Sequence, residues 1–451
     1  MKRPLRLTWL LWAFLLPFSL LTLNMALDRT LPPHRNPSAG HFWARLGTQA
    51  FASGDAQRAI PLLSLAAAAH DLPAEGWIML GDAYQASGDL TRALQAWQNA
   101  PDTTAVLERR LQAHRQLHAF PSAIADLEVL ISLQPEDANQ FYQLGLLLAA
   151  TQPDQAAAYL ARAAALSPSY TALAQALTRR IQAAQSASQP AYLLLEAGRA
   201  LADLNEWELA AEAFQRAASI RPDYSEAWAF LGEALQHIHI PEGKPFSSTG
   251  LVELEFARQL DPDSLSANLF LALYWRRQGH PSYALESLEK PAALNPLNPV
   301  IQIELGSTLA EKGDFKTALS HYLRATELAP SEPGFWLALA VFSVHSHYQL
   351  RQVALPAARQ LLLLTPADPA ALDLMGQALI ALEDPLNAER FFRRAIQSNS
   401  SYAPARLHLA EVYLLRGATT AARQELDMTI TLAPGSSEAE YAQRLLQSSF
   451  P

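Results

Sequence analysis

The feature that most constrains what this chain can fold into is a period of 34 residues. Trp43, Leu46, Gly47 and Gly54 recur at that spacing as Trp77, Leu80, Gly81 and Gly88. Further along, Leu271, Leu305 and Leu339 keep the same interval, as do Pro262, Pro296 and Pro330, and the pair Ala284 and Ala318. A fixed period of this size means copies of one supersecondary unit, none of which can bury its apolar face alone, so that stacking on neighbours supplies the core. Composition says what the unit is made of. Half of the 451 residues are apolar, glycine is scarce at 18, β-branched residues are sparse, and Ala, Leu, Gln, Glu and Arg dominate. Those residues lose least on entering a helix, so the chain reads as all-α.

The unit from Pro299 to Glu332 carries Leu305, Gly306, Leu309, Gly313, Ala318, Tyr322, Ala325 and Pro330, and the unit from Ala191 to Tyr224 carries Gly198, Leu201, Ala210, Phe214, Ala217 and Pro222. On these residues the chain resembles the tetratricopeptide-repeat family, whose pattern is W-x2-L-G-x2-Y, then A-x3-F, then P. The resemblance implies a right-handed superhelical solenoid of helix-turn-helix repeats. About eleven units fit between residues 40 and 434. Small residues let two helices approach closely, large ones fill the space beside them, and proline ends the second helix.

Two departures divide the array. After Pro168 the register resumes only near Ala191, about twenty residues late; Tyr170, Leu173, Leu177, Ile181 and Ala184 form a helical apolar stripe, and 185–190 reads as a break. We therefore expect a linker at 29–39, about four repeats over 40–168, an extra helix and break over 169–190, about seven repeats over 191–434, and a capping helix over 435–451. About six residues are added between His237 and Gly250, where Pro241, Gly243 and Pro245 require a loop: either a binding feature or a tolerated surface insertion. About two more are added near Ser346 to Arg351.

Residues 1–28 read as a signal anchor or signal peptide. Lys2, Arg3 and Arg6 precede an apolar run from Leu7 to Leu23, an insertion signal that leaves the N-terminus inside and sends the rest of the chain across the membrane. Ala26 has Asn24 two places before it, which fits an A-x-A cleavage site poorly and favours a retained single-pass transmembrane helix; with cleavage the protein would be secreted or periplasmic. Membrane contact is expected through this helix alone.

The net charge of -9 offers no positive field for nucleic acid, and the absence of cysteine removes disulfides, thiolate nucleophiles and Cys-type zinc sites. No H-E-x-x-H, G-x-S-x-G or G-x-x-x-x-G-K occurs, and almost no length is left for a catalytic domain, so we expect no enzyme, no cofactor and no metal. The pairs His237, His239 and His345, His347 lie two apart, which points them to different sides of a helix. Glu304, Glu311 and Asp314 read as a solvated helix face, and Trp43, Trp77, Trp228 and Trp336 as packing at the repeat's own Trp position.

The resemblance implies that first helices line a concave groove that binds proteins. Transferred residue by residue, that groove is Arg199, Glu233, Leu269, Leu273, Arg276, Arg277, Ile303, Ser307, Leu337 and Val341. The Lys and Asn with which relatives clamp chaperone tails are missing. The apolar share would suit an amphipathic helix or apolar segment of another protein, unless those side chains merely cover neighbouring helices. The expected function is an extracytoplasmic, membrane-anchored scaffold for protein assembly in the cell envelope; the alternative is a glycan-binding accessory protein that uses exposed aromatics.

Overall fold

The computed structural model describes residues 39–185, 189–238 and 250–449, and among them 24 α-helices and no strands. The expected N-terminal anchor and the added loop between His237 and Gly250 lie largely outside the described residues. Among the described residues no helix is long and apolar enough to cross a membrane.

Two compact units divide the described chain, one of 39–148 with 154–178 and one of 149–153 with 179–449. The first contains the helical hairpins α1 (Ala39–Ala52) with α2 (Ala56–Ala68), α3 (Ala74–Ala86) with α4 (Leu90–Trp97), α5 (Thr104–Gln116) with α6 (Phe120–Leu133), and most of α7 (Ala138–Thr151) with α8 (Pro153–Leu166). A short 3-10 turn then leads into α9 (Thr171–Gln185).

The second unit stacks α10 (Pro190–Asp203) with α11 (Trp207–Ile220), α12 (Ser225–His237) with α13 (Leu251–Leu260), α14 (Leu265–Arg277) with α15 (Pro281–Leu294), and α16 (Pro299–Glu311) with α17 (Phe315–Leu328). It continues through α18 (Pro333–His345) with α19 (Leu355–Leu364), α20 (Pro369–Ala381) with α21 (Pro385–Ser398), α22 (Ala403–Leu415) with α23 (Thr419–Leu432), and ends on α24 (Ser437–Ser449). That last helix buries Ala439 and Ala442 and lays Leu446 against Leu407 and Leu426.

One contact explains the strongest letters of the repeat. In several hairpins a glycine of the first helix meets a large side chain of the second: Gly81 faces Trp97, Gly198 faces Phe214, and Gly376 faces Phe392. A Cβ built on Gly376 would stand 2.4 Å from Phe392 Cε1, closer than any real contact allows. Phe392 and Trp97 are completely buried, and Phe214 nearly so. The hairpin turn uses a second glycine. Gly54, Gly88 and Gly313 take φ of 83°, 82° and 83°, and the aspartates that follow, Asp55, Asp89 and Asp314, each accept the N–H three residues on, capping the second helix. Where the turn lacks glycine, His118, Asn205 and Glu383 hold the left-handed conformation at some strain.

The Trp position does more than pack. Trp228 Nε1 donates to the Pro222 carbonyl at 2.9 Å and Trp336 Nε1 to that of Pro330 at 2.8 Å, six residues back in each case. Asn268 and Gln302, at the same repeat position, donate likewise to Pro262 and Pro296. The side chain there satisfies a carbonyl left open where the preceding helix ends, which is why an amide can replace an indole. The two residues added near Ser346 are absorbed in a turn where His347 and Gln349 have positive φ, followed by a π-helical turn, Leu350–Ala354, that runs into α19.

Gly376→Ala should therefore be much more damaging than Gly417→Ala, because Gly417 has φ of 71° but open space around it. We expect a loss of about 2–3 kcal/mol at Gly376 from overpacking against about 1 kcal/mol at Gly417 from the backbone alone; urea unfolding of the two variants checks the order.

Candidate partner-binding row

Along the first helices of the second unit, the residues assigned to a groove separate by chemistry. The charged ones are occupied. Arg277 donates to Glu233 from Nη2 at 2.7 Å and from Nη1 at 3.0 Å, with a further bond to Gln236 Oε1, which ties α14 to α12. Arg276 reaches the other way, from α14 to α16, donating to Glu311 Oε1 through Nε at 2.9 Å and to Glu304 Oε2 at 2.5 Å. Arg199 donates to Glu196 at 2.9 Å and lies 5.1 Å above the Phe230 ring of the next first helix. One repeat thus clasps the next through its first helix, a pairing seen also in the first unit, where Asp82 accepts from Arg109 at 2.8 Å and from Trp97 Nε1 at 3.1 Å.

Glu304 corrects its reading as a solvated carboxylate, and Glu233, assigned to the groove, is enclosed in the same way. The Glu233 side chain is 11 % exposed and that of Glu304 16 %. Burial pushes the Glu304 carboxyl above its ordinary range, opposed by the charge and hydrogen bond of Arg276. Asp314 is exposed, but as a helix cap, held below the usual carboxylate range by the side chain and N–H of Thr317. Removing Arg276 would take from Glu304 its hydrogen-bonded counter-charge and leave only the weaker influence of Arg277, a costly change in such surroundings. Charge reversal at Arg276 or Arg277 would therefore disturb the stack itself before any partner.

The apolar residues are placed differently. Leu337 is 37 % exposed and Leu269, Leu273, Ile303 and Val341 are half-buried. Ile303 and Val341 pack partly onto the core beneath α18, and Leu269 onto the cluster of Ala272, Ala284 and Leu288. Ser307 is partnered with the Tyr322 hydroxyl at 2.9 Å. Leu269, Ile303 and Val341 thus cover the core with part of their surface and offer the rest to solvent.

A further clasp escapes sequence reading. His408 Nδ1 of α22 lies 2.8 Å from Asp373 Oδ1 of α20, with Asp373 almost wholly buried. Asp373 falls among the groove-facing positions of the repeat, but nothing in the spacing marks a histidine 35 residues later as its partner. His237, one of the paired histidines, stacks on Trp207 at 3.9 Å and contacts Glu233 at 2.9 Å. Among the described residues no cluster of three metal-ligating side chains occurs.

Hairpins joined by glycine-to-aromatic contacts and clasped through their first helices define a helical-repeat protein. The repeats are tetratricopeptide repeats: models of that repeat match residues 44–103, 195–237 and 272–333, and another matches 379–446. The chain is a tetratricopeptide-repeat protein. No curated protein matches its sequence. Solved structures similar to it include yeast Tom70, at 16% identity over 92% of this chain and 96% of that one with a TM-score of 0.46. The human IFIT1 dimer with m7Gppp-AAAA shares 14% identity over 83% and 81% of the two chains, with a TM-score of 0.47. PilF of Pseudomonas aeruginosa shares 21% over 50% of this chain and 98% of that one, with a TM-score of 0.38.

The His408 clasp has a pH signature. Burial alone would lower the His408 pKa, but the hydrogen bond and charge of Asp373, with Glu411 on its own helix and Glu438 on α24, raise it above the ordinary 6.5. A raised folded-state pKa contributes stability that is fully present below the unfolded value and is lost as pH rises through the folded one. The stability margin of the wild type over His408→Gln should thus be widest below about pH 6.5 and shrink at higher pH; melting both proteins across that range measures it.

Proposed function

We propose that this tetratricopeptide-repeat scaffold holds an apolar or amphipathic segment of another protein along the first helices of its second unit, and that it does so on the extracytoplasmic face of a membrane. The observation that carries the first half is the division of labour between charged and apolar members of the row. Arg276, Arg277 and Glu233 hold their charges against one another and their neighbours and Ser307 is bonded to Tyr322, so what remains for a partner is the strip of Leu269, Leu273, Ile303, Leu337 and Val341. Partly exposed aliphatic side chains on three successive first helices, α14, α16 and α18, suit the spaced anchors of a helix or an extended apolar segment. The residues that would form it come from rigid elements, which lowers the entropy lost on binding.

Leu337 is the anchor to test, since it is exposed and makes no polar contact that its loss would orphan. In a crosslinking pull-down from the native membrane, Leu337→Asp combined with Leu273→Asp should lower recovery of the specific partner about tenfold while the helical content measured by circular dichroism stays unchanged. Equal recovery of every crosslinked protein would refute the assignment.

Support for the second half comes from Lys2, Arg3 and Arg6 ahead of the apolar run from Leu7 to Leu23. The chain lacks cysteine, so a single Ser53→Cys at an exposed turn gives an unambiguous reporter. A membrane-impermeant maleimide should label it in intact cells, after removal of any outer membrane; labelling only after lysis would place the repeats in the cytoplasm and overturn this half alone.

A further inference from the structure

On another side of the second unit, α19, α20 and α21 enclose an open cavity of about 770 Å3. It is lined by Leu362 of α19, Met375 and Leu379 of α20 and Phe391 of α21. Met375 lies two residues from Asp373 and from Gln377, so on α20 it points away from the face that carries the first-helix row. The cavity is a separate surface.

Its lining also holds Arg351, Arg359 and Arg394. All three are exposed. Among the described residues none of them has a carboxylate within ion-pair reach; Arg394 only lies 5.3 Å over the Phe391 ring. One carboxylate does line the cavity, that of Asp384, and it is engaged as the cap of α21, accepting the Asn387 N–H at 3.2 Å and its Nδ2 at 2.7 Å. In a chain of net charge -9 whose arginines elsewhere are so often paired, three uncompensated guanidiniums around an apolar hollow are a local inversion of sign. Leu363, 74% exposed, extends the apolar surface at the edge of the hollow.

We propose that this cleft is a second docking site, for an acidic amphipathic helix of a partner protein whose aliphatic side chains enter the cavity and whose flanking carboxylates meet Arg351, Arg359 and Arg394. Guanidinium forks match carboxylates geometrically and release little hydration in doing so. A cleft this open favours a segment of a larger molecule over a free small acid, because small-ligand sites enclose most of their ligand. The inference does not depend on the first-helix row: the two surfaces use different residues and different chemistry.

The test uses the full chain and a labelled alanine-based helix of about four turns, with leucines at i, i+3, i+4 and i+7 and glutamates flanking that stripe. Fluorescence anisotropy should show saturable binding that weakens about tenfold when the glutamates are replaced by glutamines, since each change removes charge-assisted bonds. The double variant Arg351→Gln with Arg359→Gln, and Arg394→Gln alone, should weaken the glutamate peptide similarly, while Leu337→Asp should not. Among the described residues none of the three arginines holds an ion pair, so the melting temperature should stay put; the peptide comparison on the wild type needs no variant at all. Equal binding of the two peptides, or no saturable binding, overturns the proposal. So does binding of dodecanoate that responds to the arginine changes where the peptide does not, which would make the cleft a site for a small amphiphilic acid.

Discussion

The structure depends on how closely two helices can pass. At the hairpin crossings a glycine leaves room for an aromatic ring or a leucine of the second helix, as at Gly376 and Phe392 or Gly47 and Leu63, and the neighbouring alanines complete the fit. That contact sets the angle of the hairpin, and the angle decides which faces are left for the next repeat. Since no hairpin encloses its own core, every pair needs the adjacent one, and the buried clusters accordingly span consecutive repeats, as when Tyr322 of α17 packs with Phe342 of α18 and Met375 of α20.

This is also why the fold is legible in the sequence. Glycine at the crossing, alanine opposite it and proline after the second helix are each the residue type that the geometry leaves room for, so their spacing carries the architecture. The positions that tolerate several solutions are less legible. The Trp position looks like packing, yet Asn268 and Gln302 occupy it because its task includes a hydrogen bond to the carbonyl six residues earlier. At the wide turn before α19, the added residues show in the register but the π-helical geometry that absorbs them does not.

The surface is the hardest to read, for a physical reason. A Glu or Arg on the first helix looks the same in sequence whether it reaches water or the next repeat, and only the stacking distance decides. Glu304 reads as a solvated carboxylate and is instead the buried partner of Arg276. Of the residues named for a groove, Glu233, Arg276 and Arg277 are held in ion pairs between first helices, while Leu269, Leu273, Ile303, Leu337 and Val341 keep part of their surface exposed. The arginines around the α19–α21 cleft show the converse, cations whose spacing promises nothing and which, among the described residues, form no ion pair.

Stability, on this account, passes between neighbouring hairpins rather than residing in any one of them. Amide hydrogen exchange of the full chain, read helix by helix, tests it most directly. Within the second unit, protection should rise from α24 inward through α20 and α21 toward α14–α17, in steps shared by adjacent pairs. Hairpins that each exchange at their own unrelated level, with no dependence on position in the stack, would contradict it.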